Sequence, residues 1–233
     1  MRQRTERASV PQVEQWSELA LIPMLATVGY YALPDDLQNS SVVQFFPQIL
    51  AYCSLALWAV NNTAASFRLG LAPSQYPQGL QWGFPVGVAL GAINATVILW
   101  VIPWLGADIE FLRETPHARM PVFVMLPWAI LLVAIGVELN FRGFLLGRLV
   151  ALAQRFGLRA YPCLGSGLAV IVSAIVFSFD PFMVSTFKHL HWIAVWDGLV
   201  WGMMWVRLRN LYATITAHAV EVLVMYSVLK LIL

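Results

Sequence analysis

Long apolar stretches separated by short polar ones dominate the chain. Residues 69–107 and 120–137 contain no Asp, Glu, Lys or Arg at all. Runs of this kind reach the ~20 apolar residues that a membrane-spanning helix needs. The pattern predicts an all-α, polytopic transmembrane helical bundle of about seven spans. They fall at 16–33, 42–61, 80–105, 120–149, 162–179, 191–206 and 211–233, with spans five and six short at their edges. Prolines 23, 47, 85, 103 and 127 lie inside apolar runs and read as kinks, which membrane helices tolerate. No internal repeat or low-complexity tract interrupts the pattern, so residues 1–233 read as a single integral domain. The most polar loop, 106–119, reads as a solvated connection carrying a short interfacial helix.

Composition agrees with this reading. Sixty per cent of residues are hydrophobic, 11% are charged and the mean hydropathy is +0.72. Soluble domains carry about 45–50% apolar and about 25% charged residues. A soluble enzyme, a disordered chain and a nucleic-acid binder with a basic face are excluded. The net charge of +2 implies no partner by itself. Cys53 and Cys163 both lie in apolar runs and read as buried thiols, with no disulfide framework or metal knuckle. The polar segment 1–15 precedes an apolar run without a small-residue cleavage site, which reads as a retained anchor.

The loop charges predict sidedness. Arg2, Arg4, Arg7, Arg68, Arg148, Arg155, Arg159, Arg207 and Arg209 fall on one side of seven spans. Arg113, Arg119, Lys188 and Lys230 fall on the other, so the bias places the N-terminus in the cytoplasm. The expected location is a bacterial inner (plasma) membrane or another energy-transducing membrane, with lipid as the surrounding partner.

A charge near the bilayer centre costs a few kcal/mol or more, so any such residue is a functional candidate. Glu138, Arg142, Asp197 and Glu221 lie within spans, with His218 beside them. Glu18 and Asp180 lie nearer span ends. A rise of ~1.5 Å per residue puts Glu138 and Asp197 each about 15 Å from the cytoplasmic boundary, with His218 about 12 Å in. Three spans thus bring ionisable groups to one level. Glu138 and Arg142 are spaced i, i+4, so they share a helix face and can pair. His218 and Glu221 are spaced i, i+3. Gly198 and Gly202 form a small-xxx-small face that reads as helix packing.

Three chemistries fit these residues. A carboxylate can act as general base on water while histidines orient it and stabilise the oxyanion. His218, Glu221, Glu138 and Asp197 can instead bind a divalent metal, although no cofactor motif accompanies them. In the third reading the charges form a closed network inside a scaffold or transport subunit.

The stretch GVELNFRGFLLGRL, residues 136–149, resembles the first motif of the CAAX prenyl protease and bacteriocin-processing (CPBP, or Abi) superfamily. That motif is typically Glu-Glu-x-x-x-Arg. Residues 197–222, DGLVWGMMWVRLRNLYATITAHAVEV, resemble the family's last two core helices. The resemblance covers a core at about 120–230. It implies an all-helical membrane fold and intramembrane proteolysis, in which a glutamate activates water, histidines assist and an arginine supports the glutamate.

On this sequence the implied site residues are Glu138, Arg142, His218 and His191, with Asp197, Glu221, His189 and Asp180 as secondary candidates. The sequence departs from the pattern in three places. Val137 stands where the first glutamate belongs, and Val222 stands at the polar position four residues after His218. The second-motif histidine falls either on Pro181, beside Asp180, or on His191 in FKHLH. The family therefore suggests an endopeptidase acting on a membrane-associated peptide or protein. Its alternative is an inactive member serving as a scaffold, assembly factor or complex subunit with a membrane partner.

Overall fold

The structure is a computed structural model that describes residues 14–233, and no strand occurs among them. Arg2, Arg4 and Arg7, three of the topology-setting cations, lie outside the described residues. Among the described residues nine α-helices have seven residues or more: α1 (Leu21–Tyr30), α2 (Phe46–Val60), α3 (Tyr76–Thr96), α4 (Ile130–Glu138), α5 (Gly147–Arg155), α6 (Pro162–Ser178), α7 (Pro181–Phe187), α8 (Ile193–Leu208) and α9 (Leu211–Ile232). Shorter helical turns connect them.

Proline and polar residues set several boundaries. Leu126, which precedes Pro127, is extended at φ −106°, ψ 123°, because a proline ring clashes with a helical residue before it. Asp180 caps α7 by accepting a hydrogen bond from the Phe182 amide at 3.1 Å. The cap sits at a 53° bend that breaks α6–α7 into two pieces. A π-helical segment, Leu139–Leu146, joins α4 to α5 and buries seven of its residues, Asn140 to Leu146.

The expected helical segments are present, but their lengths differ. Among the described residues three helices are long and apolar enough to cross a membrane: Ala65–Trp104, Ile130–Arg155 and Leu211–Ile232. The bent pair Pro162–Ser178 and Pro181–Leu190 makes a fourth if taken as one span. Segments Ser17–Tyr30 and Phe46–Val60 are apolar but shorter.

Helix α3 packs along α9 at backbone contact. Gly79, Gly83, Gly87 and Gly91 recur every fourth residue and are all buried. A Cβ added at Gly79 would lie 2.6 Å from Tyr212 Cβ, and one at Gly83 would lie 2.5 Å from the Ala213 carbonyl oxygen. Only hydrogen fits there, and the stripe fixes the rotation of α9 against α3. A second close pair joins α6 and α8, where Gly198 meets Ala174 and Gly202 meets Val170. Trp58, Trp201 and Trp205 are fully buried between helices.

Two expectations are corrected here. Cys53 and Cys163 are exposed, not buried. An apolar run predicts burial only in water; in a bilayer the outer surface is apolar as well. Segment 106–119 is more than a solvated connection. It does carry a short helix, Pro116–Arg119, but Phe111 and Leu112 are buried in an apolar cluster with Ile98, Ile102, Leu190 and Ile193.

Candidate functional site

Helix α4 delivers Glu138 at its last residue, and the π segment carries Arg142 into the same interior. Glu138 is 0% exposed and Arg142 is 1% exposed. Arg142 Nη1 lies 3.2 Å from Glu138 Oε1. His218 of α9 reaches the same oxygen through Nδ1 at 3.0 Å. A carboxylate paired with arginine can only accept, so His218 Nδ1 carries the hydrogen and Nε2 is left as an acceptor. This is the orientation that a carboxylate imposes on a catalytic histidine.

Aromatic rings hold the pair in place. The Arg142 guanidinium lies 4.4 Å from the Phe177 ring centroid and 4.8 Å from that of Trp201. Trp201 in turn stacks on His218 at 4.5 Å with an interplanar angle of 18°. At Gly198 an added Cβ would collide with Ala174, at 2.9 Å, and would rest in ordinary contact with Arg142 Nη2, at 3.5 Å. Single-turn π-bulges are frequent at functional sites, and here a π segment begins immediately after Glu138.

A second polar cluster lies beside the first. Asn94, at the end of the α3 glycine stripe, donates through Nδ2 to Asp197 Oδ1 and Oδ2, both at 3.1 Å. The same nitrogen donates to Glu221 Oε1 at 2.7 Å. Trp196 Nε1 donates to Asn94 Oδ1 at 2.8 Å and fixes the amide. Arg142 interacts electrostatically with Glu138, Asp197 and Glu221. Two clusters on α3, α4, α8 and α9 thus share one buried cation.

Both border a cavity of about 880 Å³. Its wall includes His218, Asp197, Glu221, Asn94, Asn140 and Trp201, and apolar side chains make up most of the rest. Glu138 and Arg142 are not on the wall; they stand behind His218. The far wall comes from segment 106–119 and α7, including Leu112, Thr115, His117 and Phe187. His117 stacks on Phe187 at 5.8 Å, and burial pulls its imidazole below its ordinary range, which keeps the ring neutral.

The predicted residues divide by location. Glu138, Arg142 and His218 are in direct contact, and Asp197 and Glu221 are joined through Asn94. Asp180 lies on the same cavity wall but is held by Gln48 at 2.8 Å and by its capping bond. His191 is not brought to the others: its Nδ1 lies 2.6 Å from the Lys188 carbonyl and its ring meets Phe179 edge-on. His189 packs against Phe111, away from the cavity wall. The turn that α7 and the following residues make puts both histidines outside. No group of three or more His, Cys, Asp or Glu among the described residues has the arrangement of a metal site.

Asn94, Trp196, Trp201 and His117 were not among the sequence candidates. Asn94 had a readable signal, an amide one turn beyond four glycines at i, i+4 spacing in a charge-free run. Residues 119–224 match the family model of type II CAAX prenyl endopeptidase Rce1-like proteins. The match covers 106 of the 233 residues, and this segment is similar to that family. No curated protein and no solved structure matches the chain. The Rce1-like segment contains every member of the two clusters except Asn94, which α3 contributes from outside it. The Rce1-like family is a family of proteases, and the apolar helices make this an integral membrane protein.

Proposed function

We propose that the chain is an intramembrane endopeptidase that hydrolyses a peptide bond in a membrane-associated peptide or protein. The observation that carries the reading is the bond from His218 to Glu138 on the wall of a large cavity. His218 Nε2 takes a proton from a water as that water attacks the scissile carbonyl. Glu138 and Arg142 act as positioning residues, because they hold the imidazole rather than touch the substrate. This assignment moves Glu138 from water-activating base to orienting partner. It accommodates Val137, because a base on the cavity wall is still available.

A CaaX-type prenylated peptide is the substrate class that the matching family's description suggests, and the mostly apolar cavity suits a lipidated chain. The molecule forms one integral domain crossing the membrane about seven times, N-terminus in the cytoplasm. A bacterial inner membrane is its proposed location.

The test is cleavage of a fluorogenic farnesylated CaaX peptide by the purified protein in liposomes. A general base contributes about 10²–10⁴-fold. His218→Ala is expected to lower kcat by that factor, and Glu138→Gln to lower kcat with little change in KM. Cleavage at wild-type rates by both variants would overturn the assignment. A wild type that cleaves neither this peptide nor an unprenylated transmembrane peptide, but co-purifies with a membrane complex, would favour the scaffold role instead.

A further inference from the structure

Two buried carboxyl groups on the cavity wall are not used by the reaction as described. Asp197 and Glu221 are 4% and 2% exposed. They come from different helices, α8 and α9, and both accept from the one amide nitrogen of Asn94, at 3.1 Å and 2.7 Å. Carboxylates have no donor, so two of them in that arrangement need a proton between them.

The surroundings do not remove that need. Asn94 supplies one nitrogen with two hydrogens, shared among three carboxyl oxygens. Glu221 Oε2 has no N–H or O–H donor. The groups facing the pair are Arg142, Asn94, Trp196 and Glu138. Arg142 is the one cation among them, and Glu138 already pairs with it at 3.2 Å. A single positive charge is thus set against three carboxyls, and one shared proton reduces the imbalance.

An independent feature of the same wall points to a polar occupant. Trp201 Nε1 is buried, lies on the cavity and has no acceptor. Tyr226 Oη is in the same position further along the wall. Buried donors are almost always paired, with ordered water or ligand where protein supplies nothing. The Trp201 indole stacks on His218 and borders the same cavity as the carboxyl pair.

We propose that Asp197 and Glu221 share one proton and deliver it to the leaving amine, as the general acid that complements His218. The inference rests on the endopeptidase reading above. In the first step a water oxygen bonds to the scissile carbonyl carbon, and one water proton moves to His218 Nε2. In the second step the C–N bond breaks, and its electron pair takes the proton held by Asp197 and Glu221. The proton on His218 then returns to the carboxyl pair, so that water and amide become acid and amine. Asn94 is the positioning residue, because its one amide holds both carboxyls.

Infrared spectroscopy and kinetics test the two halves separately. The wild type at pH 7 should show a carboxylic-acid carbonyl stretch that shifts in heavy water. The band should be lost in Glu221→Gln and in Asp197→Asn but kept in Glu138→Gln. Absence of the band from a folded wild type overturns the shared proton. In the cleavage assay Glu221→Gln should lower kcat for the farnesylated CaaX peptide about a hundredfold with KM unchanged. It should barely affect a p-nitrophenyl ester of the same acyl group, whose leaving group departs without a proton.

Equal losses on amide and ester, at unchanged melting temperature, overturn the acid role. Asn94→Asp, which keeps the shape but adds a third carboxyl, should also lower kcat on the amide more than on the ester. A wild type that shows the band but cleaves nothing overturns the endopeptidase reading and, with it, proton delivery, while the shared proton stands. A wild type that cleaves but lacks the band overturns the pair alone.

Discussion

At the residue scale, the buried ion pair explains both what the sequence revealed and what it hid. Glu138 and Arg142 cannot be separated cheaply, because removing one partner leaves an unpaired charge in a low-dielectric interior. That costs about 3–5 kcal/mol, whereas replacing both by apolar groups is often near neutral. Arg142→Leu is therefore expected to destabilise the protein strongly in detergent unfolding, and adding Glu138→Gln should restore most of the loss. If the double variant is no more stable than Arg142→Leu, the pair does not dominate the local energetics. The scarcity of charge made Glu138, Arg142, Asp197, His218 and Glu221 visible in the sequence, since each is expensive in a bilayer. The same criterion could not see Asn94 or Trp201, which carry no charge. His191 entered on the family's motif spacing rather than on charge, and it lies past the bend at Asp180.

At the element scale, α3 shows how packing places chemistry. Its glycines let the backbone of α9 approach until no side chain fits between them, and weak Cα–H···O contacts become available at such crossings. His218 and Glu221 follow from the rotation of α9, and Asn94 from the register of α3. A side chain added to the stripe must push the helices apart and so pull Asn94 away from Glu221. Gly83→Val, whose Cβ would collide with Ala213 and Thr216, is expected to cost about 1–3 kcal/mol or more and to lower activity with it. Gly29→Ala in α1, where nothing lies within 4 Å, should be neutral or gain up to about 1 kcal/mol. Thermal unfolding of the two variants in one detergent separates these outcomes; equal effects would mean that the stripe is not a close contact. The helices themselves were legible because runs of apolar residues are long. Their pairing was not, since a four-residue glycine repeat states that a contact exists without naming the partner. The exposed cysteines show the complementary limit, because lipid and core select the same residue types.

At the scale of the whole molecule, the open question is how many times the chain crosses the bilayer. Three helices meet the length for a span, and the bent pair α6–α7 makes a fourth. Seven crossings therefore require α1, α2 and α8 to span with fewer residues, by local thinning of the bilayer or by extension through their flanking turns. Divided over seven crossings with a cytoplasmic N-terminus, the loop cations fall nine against four, with the excess on the cytoplasmic side. Cys163 offers a direct test. It is exposed, it is the second residue of α6, and it follows Arg159 by four positions. In a seven-span molecule with a cytoplasmic N-terminus it lies at the cytoplasmic surface, whereas Cys53 lies within α2 and faces lipid. A membrane-impermeant maleimide should then label Cys163 in inverted vesicles but not in intact cells, and should leave Cys53 unmodified in both. A reporter enzyme fused after Leu233 that works only outside the cytoplasm should be active. Labelling of Cys163 from the outside would mean an odd number of crossings before it or a reversed orientation, and an inactive reporter with a cytoplasmic N-terminus would mean an even total. A reversed orientation would also place His218 and its cavity on the opposite half of the membrane, reversing the side from which a substrate reaches the site.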